Sequence, residues 1–417
     1  MTRTVQRRRV VITGMGTVNP CGLTVPETWA NLLAGKSGIG PIDRFDATDF
    51  ACRIAGQVKG FNPDLFIDKK EQKKMDIFIH YALGAAHEAW VDAGFDQVEL
   101  TKAERELFGT YIGSGIGGLS TIWDEANGFR GPRRISPFFI PSLIVNLASG
   151  QASIKYGLQG PNGAVATACA TGAHAIGDAS RHIAFGYADR MMAGGSDSVV
   201  NQLGVGGFAA MRALSTRNDE PERASRPFDV DRDGFVMAEG AGIVILEEYE
   251  LAKARGAKIY AEVVGYGMSG DANHITSPAP EGEGGQRVMR AALKDAEIAP
   301  EQVGYVNMHG TSTPMGDKLE CLAIQRVFGD HAKRIKVSST KSMHGHLLGA
   351  AGGLETIVAA LAVQTGKIPP TINVDHQDPE CDLDVTANVA GTLDSEYVMN
   401  NGFGFGGTNG CLILRKV

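Results

Sequence analysis

The sequence predicts an α/β fold whose β-sheets are largely buried. Strand-like and helical patterns alternate along the whole chain, as they do when helices cover both faces of a sheet. Of the 417 residues, 43% are hydrophobic and 21% are charged, which is typical of a globular protein with a large core. A chain of this length forms two or three average domains or one duplicated unit, and a weak long-range repetition between its halves is visible.

The repetition has three parts: a β-rich opening segment, a turn from strand to helix with reactive side chains, and a strand that runs into glycines. In the first half these parts are RRRVVITGMG (7–16), the turn at Cys169 and MMAGGSDSVV (191–200). In the second half they are KIYAEVVGYGMSG (258–270), the turn at Lys341 and His346, and YVMNNGFGFGG (397–407). Helical patterns lie between the strands, as in PETWANLLAG, HYALGAAHEAWVDAG and GLETIVAALAVQTG. We place the boundary near 255–260, which gives predicted domains of 1–258 and 259–417.

Charge, cysteine spacing and hydropathy narrow the functional classes. The net charge of −7 argues against wholesale nucleic-acid binding. The six cysteines are scattered without a CxxC pair, so we expect reduced thiols in a cytoplasmic protein and neither a disulfide framework nor a zinc site. The N-terminal apolar run Val10–Ile12 is too short for an export signal, and no run of 18 apolar residues predicts a membrane span.

Cys169 is the first candidate nucleophile. It lies in VATACATGAHAIG (165–177), where a Val/Ala/Thr stretch suited to a buried strand meets a small-residue segment suited to a helix. If the helix begins near Cys169, the N–H groups and the dipole at its N-terminus lower the pKa of the thiol. Small neighbours leave room for a substrate. On this segment alone, a buried and unreactive cysteine explains the pattern equally well.

Two later segments supply partners for such a nucleophile. YVNMHGTSTPMGD (305–317) ends a strand-like run at His309, and VSSTKSMHGHLLGAAGG (337–353) carries Lys341 and His346 where a strand-like run meets a helix-like one. A nucleophilic thiol needs a base or a cation, and donors for developing oxyanions. A structural role explains each of the three residues singly, but the ordered set predicts a catalytic site.

Three other motifs suggest a cofactor or a metal and fail on their context. GSGIGG (113–118) fits G-x-G-x-x-G, but the acidic residues that follow come too early for a dinucleotide site. DVDRDGFVMAEG (229–240) is similar to a calcium loop, but Gly240 stands where a bidentate Glu is needed. His344 and His346 alternate like metal ligands without an evident third ligand. We therefore predict no cofactor and no metal.

Ten segments together resemble one enzyme family. They are RRVVITGMG (8–16), KEQKKMD (70–76), GSGIGG (113–118), RISPFFIPS (134–142), TACATG (167–172), ALSTRND (213–219), SRPFDVDRDGFV (225–236), HGTSTPMGD (309–317), STKSMHGHLLGAAGG (339–353) and GFGFGGTNG (402–410). Over essentially its whole length the chain is similar to the elongating β-ketoacyl-[acyl-carrier-protein] synthases, and most similar to the synthase II type of bacterial fatty acid synthesis. The resemblance implies a thiolase-like α/β fold with two duplicated halves in five α/β/α/β/α layers. It also implies a homodimer, with 43–160 as insertions that shape the interface and the substrate entrance.

The resemblance further implies the reaction. Cys169 takes an acyl group from an acyl-carrier thioester, a malonyl-carrier thioester loses CO₂, and the resulting carbanion attacks the acyl-Cys169 thioester. His309 and His346 then act as neutral Nε2 donors to the malonyl thioester oxygen. The backbone N–H groups of Cys169 and Phe405 form the oxyanion hole, and Lys341, which needs a partner when buried, pairs with Glu355.

Substrate-binding roles follow from the same resemblance. Thr311 and Thr313 bind the phosphopantetheine arm of the acyl carrier protein, Phe405 gates the acyl pocket, and Ile116 and Phe208 form its walls. The ordinary alternatives are turn residues for the threonines and core residues for the walls. Eight basic residues form a candidate surface for the acidic carrier: Lys69, Lys70, Lys73, Lys74, Arg133, Arg134, Arg212 and Arg217. Collectively they suit electrostatic steering, although a solvated surface role explains any one of them equally well.

Departures from the family pattern leave the acyl preference open. Met308, His344 and Gly402 stand where Ala, Thr and Ser are usual. A degradative thiolase would need a second catalytic cysteine near GFGFGG, an initiating synthase would need an asparagine in place of His346, and a non-catalytic chain-length-factor partner would lack Cys169. A specialised polyketide or long-chain ketosynthase is the main alternative.

Overall fold

A computed structural model of the chain describes residues 7–417. Its strands are β1 Val10–Val18, β2 Ile39–Pro41, β3 Ile54–Gly56, β4 Phe108–Gly113, β5 Asn162–Gly163, β6 Arg190–Asp197, β7 Gly240–Glu248, β8 Ala261–Gly270, β9 Val303–Asn307, β10 Lys336–Ser338, β11 Lys367–Ile368, β12 Gly391–Thr392, β13 Tyr397–Gly404 and β14 Thr408–Arg415. Its helices are α1 Val25–Leu33, α2 Lys69–Gln72, α3 Ile77–Asp92, α4 Lys102–Glu106, α5 Leu119–Gly128, α6 Phe139–Leu143, α7 Leu147–Tyr156, α8 Thr171–Ala184, α9 Gln202–Ala210, α10 Tyr249–Ala254, α11 Glu283–Ala296, α12 Pro314–Phe328, α13 Lys341–His344 and α14 Ala351–Thr365.

Ten of these strands form one sheet in which the two halves of the chain repeat the same topology. The order is β10-β9-β13-β14-β8-β1-β7-β6-β4-β5. In the first half, β7 pairs antiparallel with β1 and β6, and β4 pairs parallel with β6 and β5. In the second half, β14 pairs antiparallel with β8 and β13, and β9 pairs parallel with β13 and β10. The halves join where β1 pairs with β8, which confirms the predicted duplication.

The helices complete the predicted five layers. α3 packs on β1 and β7 at one outer face, and α11 packs on β8 and β14 at the other. α8 and α14 pack against each other between the two halves of the sheet and contact strands of both. Because α14 lies in the middle layer, every residue from Ala351 to Val363 is buried. The stretch Leu348–Thr365 is apolar enough to qualify as a membrane span by composition, but 89% of it is buried inside this fold.

Glycine allows the two central helices to meet backbone to backbone. A Cβ on Gly172 of α8 would lie 2.4 Å from the backbone nitrogen of Gly353 on α14, closer than any side chain tolerates. The contact lies at the N-terminal ends of both helices, next to the turns that carry the predicted reactive residues. Small residues at these positions therefore bring the two turns together.

Two local expectations differ in the structure. The strand predicted just before Cys169 does not form, because β5 ends at Gly163 and residues 164–167 belong to no strand. Side chains satisfy their backbone instead: Thr171 Oγ1 accepts a hydrogen bond from Thr167 N (2.8 Å), and Thr408 Oγ1 donates to Thr167 O (2.9 Å). The predicted boundary near 255–260 falls in the connection between α10 and β8, and the division into two domains stays a prediction.

Candidate active site

Cys169 lies in a tight 3₁₀ turn, Ala168–Ala170, directly before α8. The turn begins with Ala168 at φ 49°, a left-handed conformation that costs a non-glycine residue about 1–2 kcal/mol. Thr171 Oγ1 donates to Ala168 O (2.7 Å) and holds the turn closed. The surrounding structure therefore holds a strained turn that presents the sulfur of Cys169 to a cavity.

That cavity, of about 390 Å³, collects most of the predicted site. Its lining includes eight residues singled out from the sequence: Cys169, Phe208, Arg212, His309, Thr311, Thr313, His346 and Phe405. Lys341 and Glu355 do not line it, and their side chains are each only 1% exposed. Ile116 does not line it either and is 37% exposed on the loop after β4, so its role as a pocket wall stays a prediction.

The expectation of a low pKa for Cys169 is wrong for the resting site. Burial raises the pKa of its thiol to about 12, although the charge of Lys341 and a hydrogen bond from the Phe405 backbone N–H both lower it. Removing a thiolate from water disfavours the charged form more strongly than these groups favour it. The resting nucleophile is therefore a neutral thiol with one backbone donor, Phe405 N–H, already directed at the sulfur.

His309 and His346 lie side by side in the lining of the cavity, edge to face, as neutral rings. Their centroids are 5.3 Å apart at an interplanar angle of 83°. Burial holds the pKa of both rings well below 6.5, and the positive charge of Lys341 lowers both further. Nδ1 of each ring is buried without a hydrogen-bond partner. Because an unpaired N–H donor is costly to bury, each proton is best placed on Nε2, where the cavity offers it to a substrate.

Glu320 is a residue of this site that the sequence reasoning missed. Its carboxylate accepts hydrogen bonds from the backbone nitrogens of His309 (2.9 Å) and Gly310 (2.8 Å) and from Asn401 Nδ2 (3.2 Å). It is fully buried, and burial raises its pKa to about 7. The available signal was an acidic residue flanked by Leu319 and Cys321 on an apolar stretch of α12.

The Lys341–Glu355 pair confirms the partner expected for the buried lysine. Lys341 Nζ donates to Glu355 Oε1, and both side chains are almost completely buried. Burial raises the pKa of Glu355 to about 7, with the charge of Lys341 opposing the shift. This pair places a fixed positive charge near both histidines without exposing it to the cavity.

The mouth of the cavity is polar on one side and aromatic on the other. Thr311 and Thr313 turn their hydroxyls toward each other (3.1 Å) in the loop between β9 and α12. Opposite them, the ring of Phe208 lies 6.3 Å from that of Phe405 and 5.4 Å from that of Phe235. Phe405 lies in the turn between β13 and β14 and is half-buried. A polar arm and an apolar chain therefore have separate walls to contact.

The three departures from the family pattern are close to the site. Met308 is fully buried in the core beside β9. His344 Nδ1 donates to Gly345 O (2.6 Å) and its Nε2 accepts from Thr340 Oγ1 (3.0 Å), while burial lowers its pKa to about 3. A Cβ on Gly402 would meet Ala170 at 3.5 Å, an ordinary contact. None of the three lines the cavity.

The predicted carrier surface is basic but spread over separate segments. Lys69, Lys70 and Lys73 are exposed on or next to the single turn of α2. Lys74 pairs with Glu71 (2.6 Å) and lies 5.0 Å above the ring of Phe138. Arg133 and Arg134 are exposed on the 3₁₀ turn Pro132–Arg134, and Arg212 is exposed at the cavity mouth.

Within residues 7–417, no cluster of three or more His, Cys, Asp or Glu side chains could hold a metal ion. Unpaired oxygens do occur, since Asn307 Oδ1, Glu355 Oε2 and Asn400 Oδ1 are buried without a hydrogen-bond partner. Asn307 and Asn400 are register partners on β9 and β13, and α14, which carries Glu355, packs on both strands.

Comparisons with known proteins agree with this arrangement. Residues 7–252 match the family model described as Beta-ketoacyl synthase, N-terminal domain, and residues 260–375 match Beta-ketoacyl synthase, C-terminal domain. The chain is 54% identical over 415 residues to 3-oxoacyl-[acyl-carrier-protein] synthase 2 of Coxiella burnetii, covering 99% of this chain and 100% of that protein. It is 53% identical over 417 residues to the protein of the same name from Vibrio cholerae, with the same coverage.

Solved structures show the same fold. A β-ketoacyl synthase from Burkholderia phymatum has a TM-score of 0.91 at 37% identity, over 98% of this chain and 100% of that one. A chain from the complex of a type II PKS acyl-carrier protein with its ketosynthase has a TM-score of 0.90 at 35% identity, over 99% of this chain and 100% of that one. The thiolase-like fold predicted from the sequence is thereby confirmed.

Proposed function

The chain belongs to the β-ketoacyl synthase family, and we propose that its Cys–His–His cavity condenses an acyl group held on Cys169 with malonyl-acyl-carrier-protein. The enzyme is an acyltransferase of fatty acid elongation, and its product is a β-ketoacyl-acyl-carrier-protein two carbons longer. The observation that carries the proposal is the pair of neutral, buried imidazoles facing the same cavity as a strained-turn cysteine. A nucleophile alone needs one base at most, so a second ring points to a second chemical step.

The first step is acyl transfer to Cys169. The sulfur attacks the thioester carbonyl carbon, a new C–S bond forms, the bond to the carrier sulfur breaks, and the proton of the thiol ends on the departing carrier thiol. Because the resting thiol is neutral, the proton must leave as the new bond forms. The backbone N–H groups of Cys169 and Phe405 stabilise the oxyanion of the tetrahedral intermediate, and such donors are worth about 10²–10³ in rate.

The second step is decarboxylation of the malonyl thioester. As CO₂ leaves, its electron pair stays on the α-carbon and spreads to the thioester oxygen, which becomes negative. His309 and His346 donate Nε2–H to that oxygen, and their low pKa keeps them neutral and correctly protonated near pH 7. The α-carbon then attacks the acyl-Cys169 carbonyl, and the cysteine sulfur leaves and regains a proton.

Substrate positions follow from the two walls of the cavity mouth. The hydroxyls of Thr311 and Thr313 bind the phosphopantetheine arm. The acyl chain lies against apolar side chains that line the cavity with Cys169, which include Phe208 and Leu348. Phe405 gates this space. The reaction needs no cofactor beyond the phosphopantetheine that carries the substrates.

The partners we propose are an acidic acyl carrier protein and a second copy of this chain in the cytoplasm. The carrier docks on Arg212 at the cavity mouth and on the exposed α2 lysines, since charge of one sign steers a partner of the other sign. In the single chain, Phe129, Ile140 and Ile154 are 58%, 57% and 74% exposed. A second copy would cover these exposed apolar side chains.

The test uses purified enzyme with a series of acyl-carrier chain lengths and malonyl carrier, read by intact mass. We expect one acyl mass on Cys169, a product two carbons longer, and no acylation of Cys169→Ala. His309→Ala and His346→Ala should lose about 10²–10³ in malonyl decarboxylation while Cys169 acylation survives. Acylation of another cysteine, or normal decarboxylation by both histidine variants, would sink the assignment. Extension only of long or already ketonic primers would support the polyketide alternative.

Carrier docking is tested separately by charge reversal. Lys70→Glu with Arg212→Glu should slow condensation with carrier-bound substrates and weaken its salt dependence, because rim charges act mainly on association. Condensation with acyl-pantetheine thioesters should change far less. Lys102→Glu, at an exposed lysine on α4 that we do not place on this surface, is the matched control. Equal losses with both kinds of substrate would mean that these residues support the fold or the site.

A further inference from the structure

Asp197 is a buried carboxylate that the condensation mechanism does not use. It ends β6 and is 0% exposed. Its Oδ1 accepts hydrogen bonds from Ser114 Oγ (2.6 Å) and Ile116 N (3.2 Å), and its Oδ2 accepts from Gly115 N (3.0 Å) and Gly349 N (2.6 Å). All four donors are neutral, and burial raises the pKa of this group. Burying a carboxylate among neutral donors costs stability, so packing alone explains it poorly.

The four donors come from segments that belong to different parts of the site. Residues 114–117 lie in the loop 114–118 between β4 and α5. Residues 348–350 form a 3₁₀ turn that begins two residues after His346 and leads into α14. The carboxylate therefore ties the first half of the chain to the turn 348–350, which closely follows the catalytic His346 and is called the His346 turn below.

The turn that carries Cys169 meets the other two segments at the same point. A Cβ on Gly115 would lie 3.0 Å from Asp197 Oδ2, 3.2 Å from Ala168 O and 3.3 Å from Gly349 N. A Cβ on Gly349 would lie 2.4 Å from Gly115 N. No methyl group fits between the three segments, so a shift of one is passed directly to the others.

We propose that Asp197 is a positioning residue that holds the Cys169 turn and the His346 turn in register for condensation. Acylation uses Cys169 with the Phe405 N–H, and malonyl decarboxylation uses the two histidines, so neither partial reaction depends on the distance between the Cys169 turn and His346. Carbon–carbon bond formation requires the acyl carbonyl and the carbanion to lie within reach of each other, so it depends on the relative position of the two turns. This inference rests on the proposed function of the cavity.

Asp197→Asn should change the relative position of the Cys169 turn and the His346 turn, because it alters the hydrogen bonds of this side chain with little change in its volume. If the amide oxygen keeps Gly115 N and Gly349 N, the NH₂ group faces Ser114 and Ile116, and the backbone N–H of Ile116 then meets a second donor. If the amide is reversed, its NH₂ group faces two backbone N–H groups, which is worse. The variant therefore loosens the loop 114–117 from the carboxylate position in either orientation.

The experiment measures the three reactions separately by mass spectrometry and CO₂ release. For Asp197→Asn we expect condensation to fall about 10- to 100-fold, with both acylation of Cys169 and malonyl decarboxylation within about threefold of the wild type. Glu247→Gln is the control, because Glu247 is a fully buried carboxylate at the opposite end of the same strand pair, where it accepts from Thr13 Oγ1 and pairs with Arg190 and Arg255 away from the cavity. The control variant should have a lower thermal stability, but its rates of acylation, decarboxylation and condensation should change by the same factor.

Ser114→Ala keeps the proposal testable if Asp197→Asn does not fold. It removes the hydrogen bonds from Ser114 Oγ to Asp197 and from Gly117 N to Ser114 Oγ (2.9 Å) and leaves the carboxylate in place. We expect condensation to fall more than acylation and decarboxylation, but by a smaller factor than in Asp197→Asn. Equal losses in all three reactions, in either variant, would overturn the positioning role. A wild-type enzyme that performs neither partial reaction would instead overturn the proposed function itself.

Discussion

The Lys341–Glu355 ion pair offers the sharpest test of how the site is held together. Both side chains are 1% exposed, so Lys341→Met leaves a buried carboxylate without its partner. Removing one member of a buried pair costs about 3–5 kcal/mol of unfolding free energy. Replacing both members, as in Lys341→Met with Glu355→Leu, removes the stranded charge, and we expect the double variant to recover most of that loss.

The loss in Lys341→Met should depend on pH in a defined direction. Burial already raises the pKa of Glu355 to about 7, and the charge of Lys341 opposes that shift. Without Lys341 the pKa rises further, so the folded protein binds a proton that the unfolded chain releases above its ordinary pKa of about 4.3. A folded state that binds more protons loses stability as pH rises. The deficit of the variant is therefore smallest near pH 5 and largest above pH 7.

The assay combines urea unfolding at pH 5 and pH 8 with the pH profile of malonyl decarboxylation. Because Lys341 lowers the pKa of both His309 and His346, its removal should move the acid limb of the profile to higher pH. Lys102→Met is the control, since Lys102 forms an exposed pair with Glu106 at 3.7 Å and should change neither readout. A single variant as stable as the wild type at pH 8, or a double variant that loses the sum of both single losses, would refute this account of the pair.

Other changes test the walls of the cavity. Glu320→Gln should cost about 1–3 kcal/mol and slow decarboxylation more than acylation, because its amide cannot accept from every donor that the carboxylate now serves; equal slowing of both steps would count against it. Thr311→Val with Thr313→Val should raise KM for carrier-bound substrates while kcat changes little, and an unchanged KM would place the phosphopantetheine arm elsewhere. Ile116→Phe should shorten the longest accepted acyl chain and spare short primers; an unaltered chain-length profile would show that the pocket runs elsewhere. Phe405→Ala should increase the rate at which iodoacetamide alkylates Cys169, and an unchanged rate would show that Phe405 does not gate the cavity.

Sequence reasoning was most successful where the pattern is local. The β-rich openings at β1 and β8, the glycines within β6 and β13, and the fully buried α14 can be predicted from periodicity and composition. The placement of Cys169, His309 and His346 around one cavity needed the resemblance to a family, because nothing in their spacing fixes how two halves of a chain pack. A local pattern predicts helices and strands, but the position of the site depends on how these elements pack against one another.

The residues that were missed are those whose roles depend on long-range contacts. Glu320 holds the backbone of His309 from a helix that begins five residues further along, and Asp197 joins segments more than 150 residues apart in the chain. An acidic residue in an apolar stretch shows that a carboxylate is buried, but not which donors it serves. The prediction of a low pKa for Cys169 was wrong for a related reason. The sequence shows the helix N-terminus that lowers the pKa, but it does not show the burial of the thiol that raises it.

The duplication explains why such a site forms at this place in the fold. α8 and α14 occupy equivalent positions in the two halves, and each is preceded by a 3₁₀ turn whose first residue, Ala168 or Leu348, has a left-handed φ of 49° or 53°. Because the helices pack on each other in the middle layer, both strained turns open on the same cavity. The first half places the nucleophile there, and the second half places a histidine donor and, behind it, the Lys341 charge that keeps that donor neutral. A duplicated unit therefore places the nucleophile and one of the two histidine donors at equivalent turns, and the fixed separation of these turns determines whether acyl transfer and decarboxylation can be joined into one condensation.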